Sequence, residues 1–365
     1  MPLPKPKKKK LMSATAVAER RAARLAAATA VVEDNIDDSN ILQIDGSVIE
    51  GRVDKLLKHA AFVPTDRYWL DTGSPELNAV LGARDFGIPY GKVIELGGPE
   101  HTGKTLIATI LMGMAQRDSA GCGYIDLEDS RDEKWATKLG VVWPYVTKFW
   151  PRMMLGKAAD DAANASAKLN AALKKKKKSG APVLQTAESI CEEAEKAMEL
   201  LASHGARKQF WFMDSIANIL TAKQFDVGLQ GSSMNSKLDR AMFLSTLLPR
   251  WAGLAANYNA MIVVSNQLRS KIGGFIIPGA EDETTGGRAL RHACAVRTRT
   301  RRVKGGRLKQ GSKIIGLAGA LRNIKNKAGE GSEEGHDCGF KILWNRDKAS
   351  VAFMTVDDLK SEMGE

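Results

Sequence analysis

Gly98, Gly103, Lys104 and Thr105 stand at the spacing G-x-x-x-x-G-K-[ST] within "GGPEHTGKTL". Glycines at those places let backbone amides turn inward toward phosphate oxygens, and a helix opening at the lysine adds the favourable partial charge of its N-terminus. Lys104 would then bridge the β- and γ-phosphates, Thr105 would ligate magnesium, and Pro99, Glu100, His101 and Thr102 would form the body of the cradle. The alternative is a Gly-rich turn that only resembles the pattern. Two carboxylates could complete a phosphoryl-transfer site. Asp214 follows four apolar residues in "FWFMD", where a strand end presents it to the magnesium shell, and Glu128 closes "YIDLE", where it could orient or deprotonate a water. Asp126, nearer the strand interior, is the less favoured base, and a carboxylate after a strand is often only a helix cap.

Such residues must be held by regular elements. Four short apolar runs read as buried parallel strands: "KVIEL" at 92–96, "CGYIDL" at 122–127, "FWFMD" at 210–214 and "AMIVVSN" at 260–266. Helical patterns lie between them, including "TAESICEEAEKAMELLAS", where Ile190, Ala194, Ala197 and Leu201 share a face. That alternation predicts an α/β sheet. An Ala/Lys-rich stretch at 156–182 has few large apolar side chains and reads as a solvent-facing insertion; its five-lysine run is either a solvated loop or a nucleic-acid contact. Residues 1–10 form a basic tail, followed by an alanine-rich helix and a polar break.

The chain has 365 residues, 44% of them hydrophobic, enough for one substantial core. No stretch approaches the ~20 apolar residues that cross a bilayer, and no secretory signal precedes the core, so a cytoplasmic protein without a membrane partner is expected. The four cysteines are far apart and His336 and Cys338 make only a lone H-x-C, so neither a disulfide framework nor a structural metal is expected. A net charge of +12 favours a polyanionic partner. Between Arg288 and Lys309 there are nine basic residues and no acidic one. The alternation "VRTRTR" puts Arg297, Arg299 and Arg301 on one strand face, to be matched by nucleic acid or a neighbouring protomer in preference to a solvated edge strand.

The stretches "GPEHTGKT", "YIDLEDSRDEKWATKLGV", "FMDSIANILT", "VSNQLRSKIG", "TTGGRALRHACAVRTRTRR" and "IKNKAG" occur in the order seen in the bacterial RecA recombinase and its phage relatives. From about Leu70 to Trp344 the chain resembles that family. The resemblance implies a RecA-like P-loop ATPase core, α/β, with a mainly parallel sheet flanked by helices and an N-terminal helical arm. It implies ATP and Mg2+ as cofactors, with Glu128 activating water and Asp214 with Ser215 as the magnesium-side motif. Asp132, Trp135 and Trp344 match positions that hold the adenine, with Trp in place of the usual Tyr at both aromatic positions. Gln267 is similar to the family's γ-phosphate sensor, and Lys325 and Lys327 resemble a pair that reaches across a subunit interface to the neighbouring ATP. Asn235 and Arg240, in and beyond the loop at 226–236, and Arg269, Lys271, Ile272, Gly286, Gly287 and Arg288 of the later loop match DNA-binding positions.

The implied activity is DNA-stimulated ATP hydrolysis by a homo-oligomeric helical filament on single-stranded DNA, pairing and exchanging strands with homologous double-stranded DNA. The expected organisation is an arm at 1–64 packing on the adjacent protomer, a core at 65–355 and a short acidic tail at 356–365. The small C-terminal domain of bacterial RecA is expected to be missing, which points to a bacteriophage recombinase in which lysine runs gather the duplex. A RecA-fold hexameric helicase or branch-migration ATPase, and a non-catalytic nucleotide-switched DNA-coating scaffold, are the competing readings.

Overall fold

A computed structural model describes residues 68–129, 132–149, 153–154, 183–184, 186–227, 234–269, 283–284, 286–328 and 335–364. All fall in the unit Phe62–Glu365. The N-terminal arm, the insertion at 156–182 and the segment at 270–282 therefore lie outside the described residues.

The strands are β1 (Trp69–Leu70), β2 (Ile88–Pro89), β3 (Val93–Gly98), β4 (Gly121–Asp126), β5 (Val146–Phe149), β6 (Met153–Met154), β7 (Val183–Leu184), β8 (Gln209–Asp214), β9 (Ala260–Arg269), β10 (Glu283–Thr284), β11 (Cys294–Gln310), β12 (Lys313–Asn326), β13 (Asp337–Trp344) and β14 (Ala349–Met354). The helices are α1 (Pro75–Leu81), α2 (Lys104–Arg117), α3 (Glu133–Lys138), α4 (Ala187–Ser203), α5 (Ala222–Val227), α6 (Met234–Tyr258), α7 (Gly287–Ala293) and α8 (Val356–Met363).

The main sheet has the order β14-β13-β12-β11-β3-β9-β8-β4-β5, with β10 paired to β9 off this path. From β11 to β5 every pairing is parallel, and from β11 to β14 every pairing is antiparallel. The four apolar runs seen in the sequence are the four central neighbours β3, β9, β8 and β4. Buried on both faces, they read as continuous apolar stretches. Alternate side chains feed two cores: along β8, Phe210 and Phe212 join the cluster with α1 and α2, while Trp211 and Met213 join the one with α4 and α6.

Register places the functional residues at one edge. Gly98 is opposite Gln267, and Asp126 is opposite Asp214, all at the carboxyl ends of parallel strands, where ligands of open α/β sheets bind. Helix α4 starts at Thr186, whose hydroxyl accepts from the Ser189 amide, and buries Ala187, Ile190, Cys191, Ala194 and Met198. The face expected from the sequence packs on this core, with Ile190 and Ala194 buried in it and Ala197 and Leu201 partly buried at its margin. All four cysteines are buried free thiols.

One expectation is corrected here. β11 is an interior strand, and Arg297 and Arg299 are matched within the chain, by Glu95 of β3. Arg297 Nε donates to Glu95 Oε2 at 2.5 Å, Arg299 Nη1 lies 3.7 Å from Glu95 Oε1, and Asn266 Nδ2 of β9 donates to Oε1 at 3.0 Å. Arg301 points the same way along the strand but is exposed, 3.4 Å from Asp337. The alternation was real, and its counter-charge lay some two hundred residues upstream.

Candidate functional site

The turn from β3 to α2 is built so that its root is rigid and its tip open. Gly98 is buried, and a Cβ there would stand 1.9 Å from Thr300 Oγ1 of β11, so no side chain fits. Gly103, the residue before α2, has φ of 91°, a left-handed conformation that favours glycine, and no side chain caps the helix. The first amides of α2 are therefore left to an external anion. Thr102 is buried and bonds the Pro99 carbonyl at 2.7 Å and Thr300 Oγ1 at 2.6 Å. Thr300 donates in turn to the Gly97 carbonyl at 3.2 Å, and Arg302 donates to the Glu100 carbonyl at 2.9 Å. Pro99, Glu100 and His101 are exposed at the tip.

Lys104 folds back over this turn, its Nζ donating to the carbonyls of Gly98 at 3.0 Å and Pro99 at 2.7 Å. Partial burial holds its pKa below the usual lysine value, against the opposing pull of Asp214, Glu128 and Glu100. An ammonium with only carbonyl dipoles for partners would gain from an arriving phosphate.

Beside it, Thr105 Oγ1 donates to Asp214 Oδ2 at 2.7 Å, and Ser265 Oγ donates to Asp214 Oδ1 at 2.5 Å. Asp214 is only 2% exposed. Its pKa is pushed up to about 6 by burial, with the two hydroxyl bonds pulling it down and the charges of Glu128 and Asp126 pushing it up. Glu128 stands at the open side, its Oε1 accepting from Ser215 Oγ at 2.5 Å and Gln267 Nε2 at 3.2 Å. The Asp214 carbonyl fastens the end of β4 by accepting from the amides of Leu127 at 2.6 Å and Glu128 at 3.2 Å. Asp126 is fully buried, and its Oδ1 accepts the Glu128 amide at 3.3 Å. That leaves Glu128, not Asp126, facing the phosphate turn.

The donor set fits a hard cation carried largely by phosphate and water. Thr105 offers hydroxyl lone pairs and Asp214 lies directly behind it, both of them oxygen ligands. Among the described residues no group of three or more His, Cys, Asp or Glu side chains forms a cage for a metal ion.

Other residues singled out by the sequence lie around this centre. Trp135 and Trp344 meet edge to face, with ring centroids 5.1 Å apart and planes at 85°. Asp132 caps α3 by accepting from the Trp135 amide at 2.9 Å. Lys325 Nζ donates to the Cys294 carbonyl at 2.5 Å and to the Arg291 carbonyl, at the C-terminal end of α7, while Lys327 is exposed. Arg240 Nη1 donates to the Ala217 carbonyl at 2.9 Å. Gly287 and Arg288 are exposed where α7 begins, after Gly286 with its φ of 99°. Asn235 falls in the first turn of α6 and Arg269 ends β9; Lys271 and Ile272 lie outside the described residues.

Sequence reasoning missed Ser265, Thr300, Arg302 and Glu95. The polar residues inside "VVSN" and "KVIEL" were the available signal, since a buried strand admits such groups only with partners.

A family model described as the RecA N-terminal domain matches residues 36–146 and 165–346. The chain is 30% identical over 303 residues to Protein RecA of Allorhizobium ampelinum, covering 81% of this chain and 70% of that one. It is 28% identical over 302 residues to Protein RecA of Parvibaculum lavamentivorans, covering 81% and 69%. To Protein RecA of Acinetobacter baumannii it is 28% identical over 277 residues, covering 76% and 65%. With the phosphate turn, the paired carboxylates and the parallel sheet in one chain, and with matches of this extent, the chain belongs to the RecA family.

Proposed function

We propose that this protein is a recombinase that binds ATP with magnesium, assembles as a helical filament on single-stranded DNA and promotes pairing and strand exchange with a homologous duplex. The observation that carries the reading is that β9 bonds both carboxylates, Ser265 holding Asp214 beside Thr105 and Gln267 holding Glu128. Gln267 is two residues from the end of β9, at the root of the 270–282 segment. An amide bonded to the water-activating carboxylate at that root ties nucleotide state to whatever the segment grips.

Lys104 exchanges the Gly98 and Pro99 carbonyls for phosphate oxygens. Thr105 and Asp214 would hold magnesium, which when bound would supply neutralisation of phosphate charge. Glu128 orients the attacking water and takes its proton, while Ser215 fixes the carboxylate. Trp135 and Trp344 part to pack on the adenine, with Asp132 alongside. Lys325 and Lys327 serve the ATP of the adjacent protomer, so that hydrolysis depends on assembly. Asn235, Arg240, Arg269, Lys271, Ile272, Gly286, Gly287 and Arg288 contact DNA. No helix among the described residues is long and apolar enough to cross a membrane, and the proposed site of action is the cytoplasm of a bacterium or phage-infected cell.

Electron microscopy and ATPase measurements on single-stranded DNA, wild type against Lys104→Ala, test this. DNA-stimulated turnover should fall at least ~100-fold in the variant, as when an electrostatic contact to the transition state is lost. Closed rings in place of helical filaments would overturn the reading in favour of a helicase, and negligible turnover by the wild type would favour a scaffold.

A further inference from the structure

Ser265 follows the apolar run Met261–Val264 on β9, and it is completely buried. A buried hydroxyl without partners is destabilising, and a small apolar side chain would fill the same space without that cost. Its partners account for it. Ser265 Oγ donates to Asp214 Oδ1 at 2.5 Å, with the Met213 carbonyl at 3.3 Å. The other carboxylate oxygen, Oδ2, accepts from Thr105 Oγ1 at 2.7 Å. Asp214 is thereby held at both oxygens, between α2 on one side and β9 on the other. A carboxylate held at one oxygen only would be free to turn about its last torsion, and Thr105 would then lose the acceptor that directs its hydroxyl hydrogen. While that hydrogen points at Asp214, the Thr105 lone pairs point away from it and are open to a cation.

We infer that Ser265 is a positioning residue for magnesium binding: it locks Asp214 so that the Thr105 hydroxyl presents its lone pairs to the metal. The inference rests on the nucleotide-magnesium reading of this site. Ser265 acts through Asp214 and touches no substrate. Two residues further along the same face of β9, Gln267 holds Glu128, so a single strand sets the spacing between the metal side and the water-activating side.

Binding of ADP and of Mn2+ to the ADP complex, followed by calorimetry and electron paramagnetic resonance on the full chain, tests the inference. Ser265→Ala should weaken Mn2+ binding about 10-fold, the usual scale for removing a hydrogen-bond partner of a metal-site residue. Metal-free ADP affinity should stay within about twofold of the wild type. The Mg2+ concentration for half-maximal ATP hydrolysis should rise in parallel, and Ser265→Thr should restore both. Ser265→Cys keeps the size with a weaker donor and should fall between, which guards against a folding defect in the alanine variant. Unchanged Mn2+ affinity in Ser265→Ala and Ser265→Cys would overturn the inference alone. Equal losses of ADP and Mn2+ affinity would overturn it too, as a general loosening of the site. Absence of ADP binding by the wild type would overturn the reading of the site and this inference with it.

Discussion

Replacing Glu95 by glutamine tests whether the basic strand is balanced from inside the chain. The carboxylate is fully buried and serves Arg297 at 2.5 Å, Asn266 at 3.0 Å and Arg299 at 3.7 Å. The side chains of Arg297 and Arg299 are only 8% and 14% exposed, so water cannot take over. Glutamine keeps the shape and removes the charge, taking the Glu95 carboxylate away from two guanidinium groups. Breaking a buried pair from one side costs about 3–5 kcal/mol. At a few degrees per kcal/mol for a domain of this size, the unfolding midpoint should fall by about 10 °C. Scanning calorimetry of the full chain reads this directly. Because the charges are buried, the deficit should be nearly the same at low and high salt. The triple variant Glu95→Leu, Arg297→Met, Arg299→Met removes all three charges and should recover most of the loss, since the net worth of a buried ion pair against an apolar replacement is small. The reasoning is refuted by a cost under about 1 kcal/mol for the single variant, by a deficit that salt erases, or by a triple variant no more stable than the single.

Asp214 gives a pH prediction. Its carboxyl is pushed up to about 6 from the ordinary 3.8, mainly by burial. The native state therefore holds this proton more tightly than the unfolded chain does. The associated stability is complete below about pH 4 and is lost as pH rises through about 6, a change of roughly 3 kcal/mol. Urea unfolding of the metal-free protein should show that fall, and Asp214→Asn should flatten it; an equal slope in the variant would contradict the assignment. Lys325→Ala should destabilise the protein by about 1–3 kcal/mol by removing a charged donor from the end of α7, whereas Lys327→Ala, at an exposed position, should leave chemical unfolding unchanged. Both variants should lose DNA-stimulated hydrolysis if the pair acts across protomers, and retained turnover in Lys327→Ala would argue against that role.

The phosphate turn and the four central strands were legible because each is local. A glycine spacing, an apolar run and a following helix all lie within about twenty residues of one another. The same holds for Asp214, which ends β8, and for Glu128, two residues beyond the end of β4. What escaped the sequence was pairing across the sheet. Thr300 is an unremarked residue in "TRTRR" until β11 lies beside β3, when its hydroxyl meets both Gly97 and Thr102. The arginine alternation disclosed a charged face but not that β3 supplied its partner, since a strand register cannot be read from either strand alone. The two tryptophans were recognisable as aromatic positions on separate elements, and only the fold brings their rings into contact. Periodicity gave the packed face of α4 but not that Glu195 is drawn inward beside it, its carboxylate accepting from Trp251 Nε1 at 3.0 Å and meeting Arg250 at 2.6 Å.

The ties from β11 to the phosphate turn, through Thr300, Thr102 and Arg302, have a mechanical consequence. A strand bonded along both edges resists bending, so the turn is clamped to a beam instead of being slung between the end of a strand and the start of a helix. β9, on the other side of β3, is likewise bonded along both edges, so the strand that leads into the turn is braced from both sides. An anion arriving at the turn would meet a seat set in advance, and little of its binding energy would go into shaping that seat.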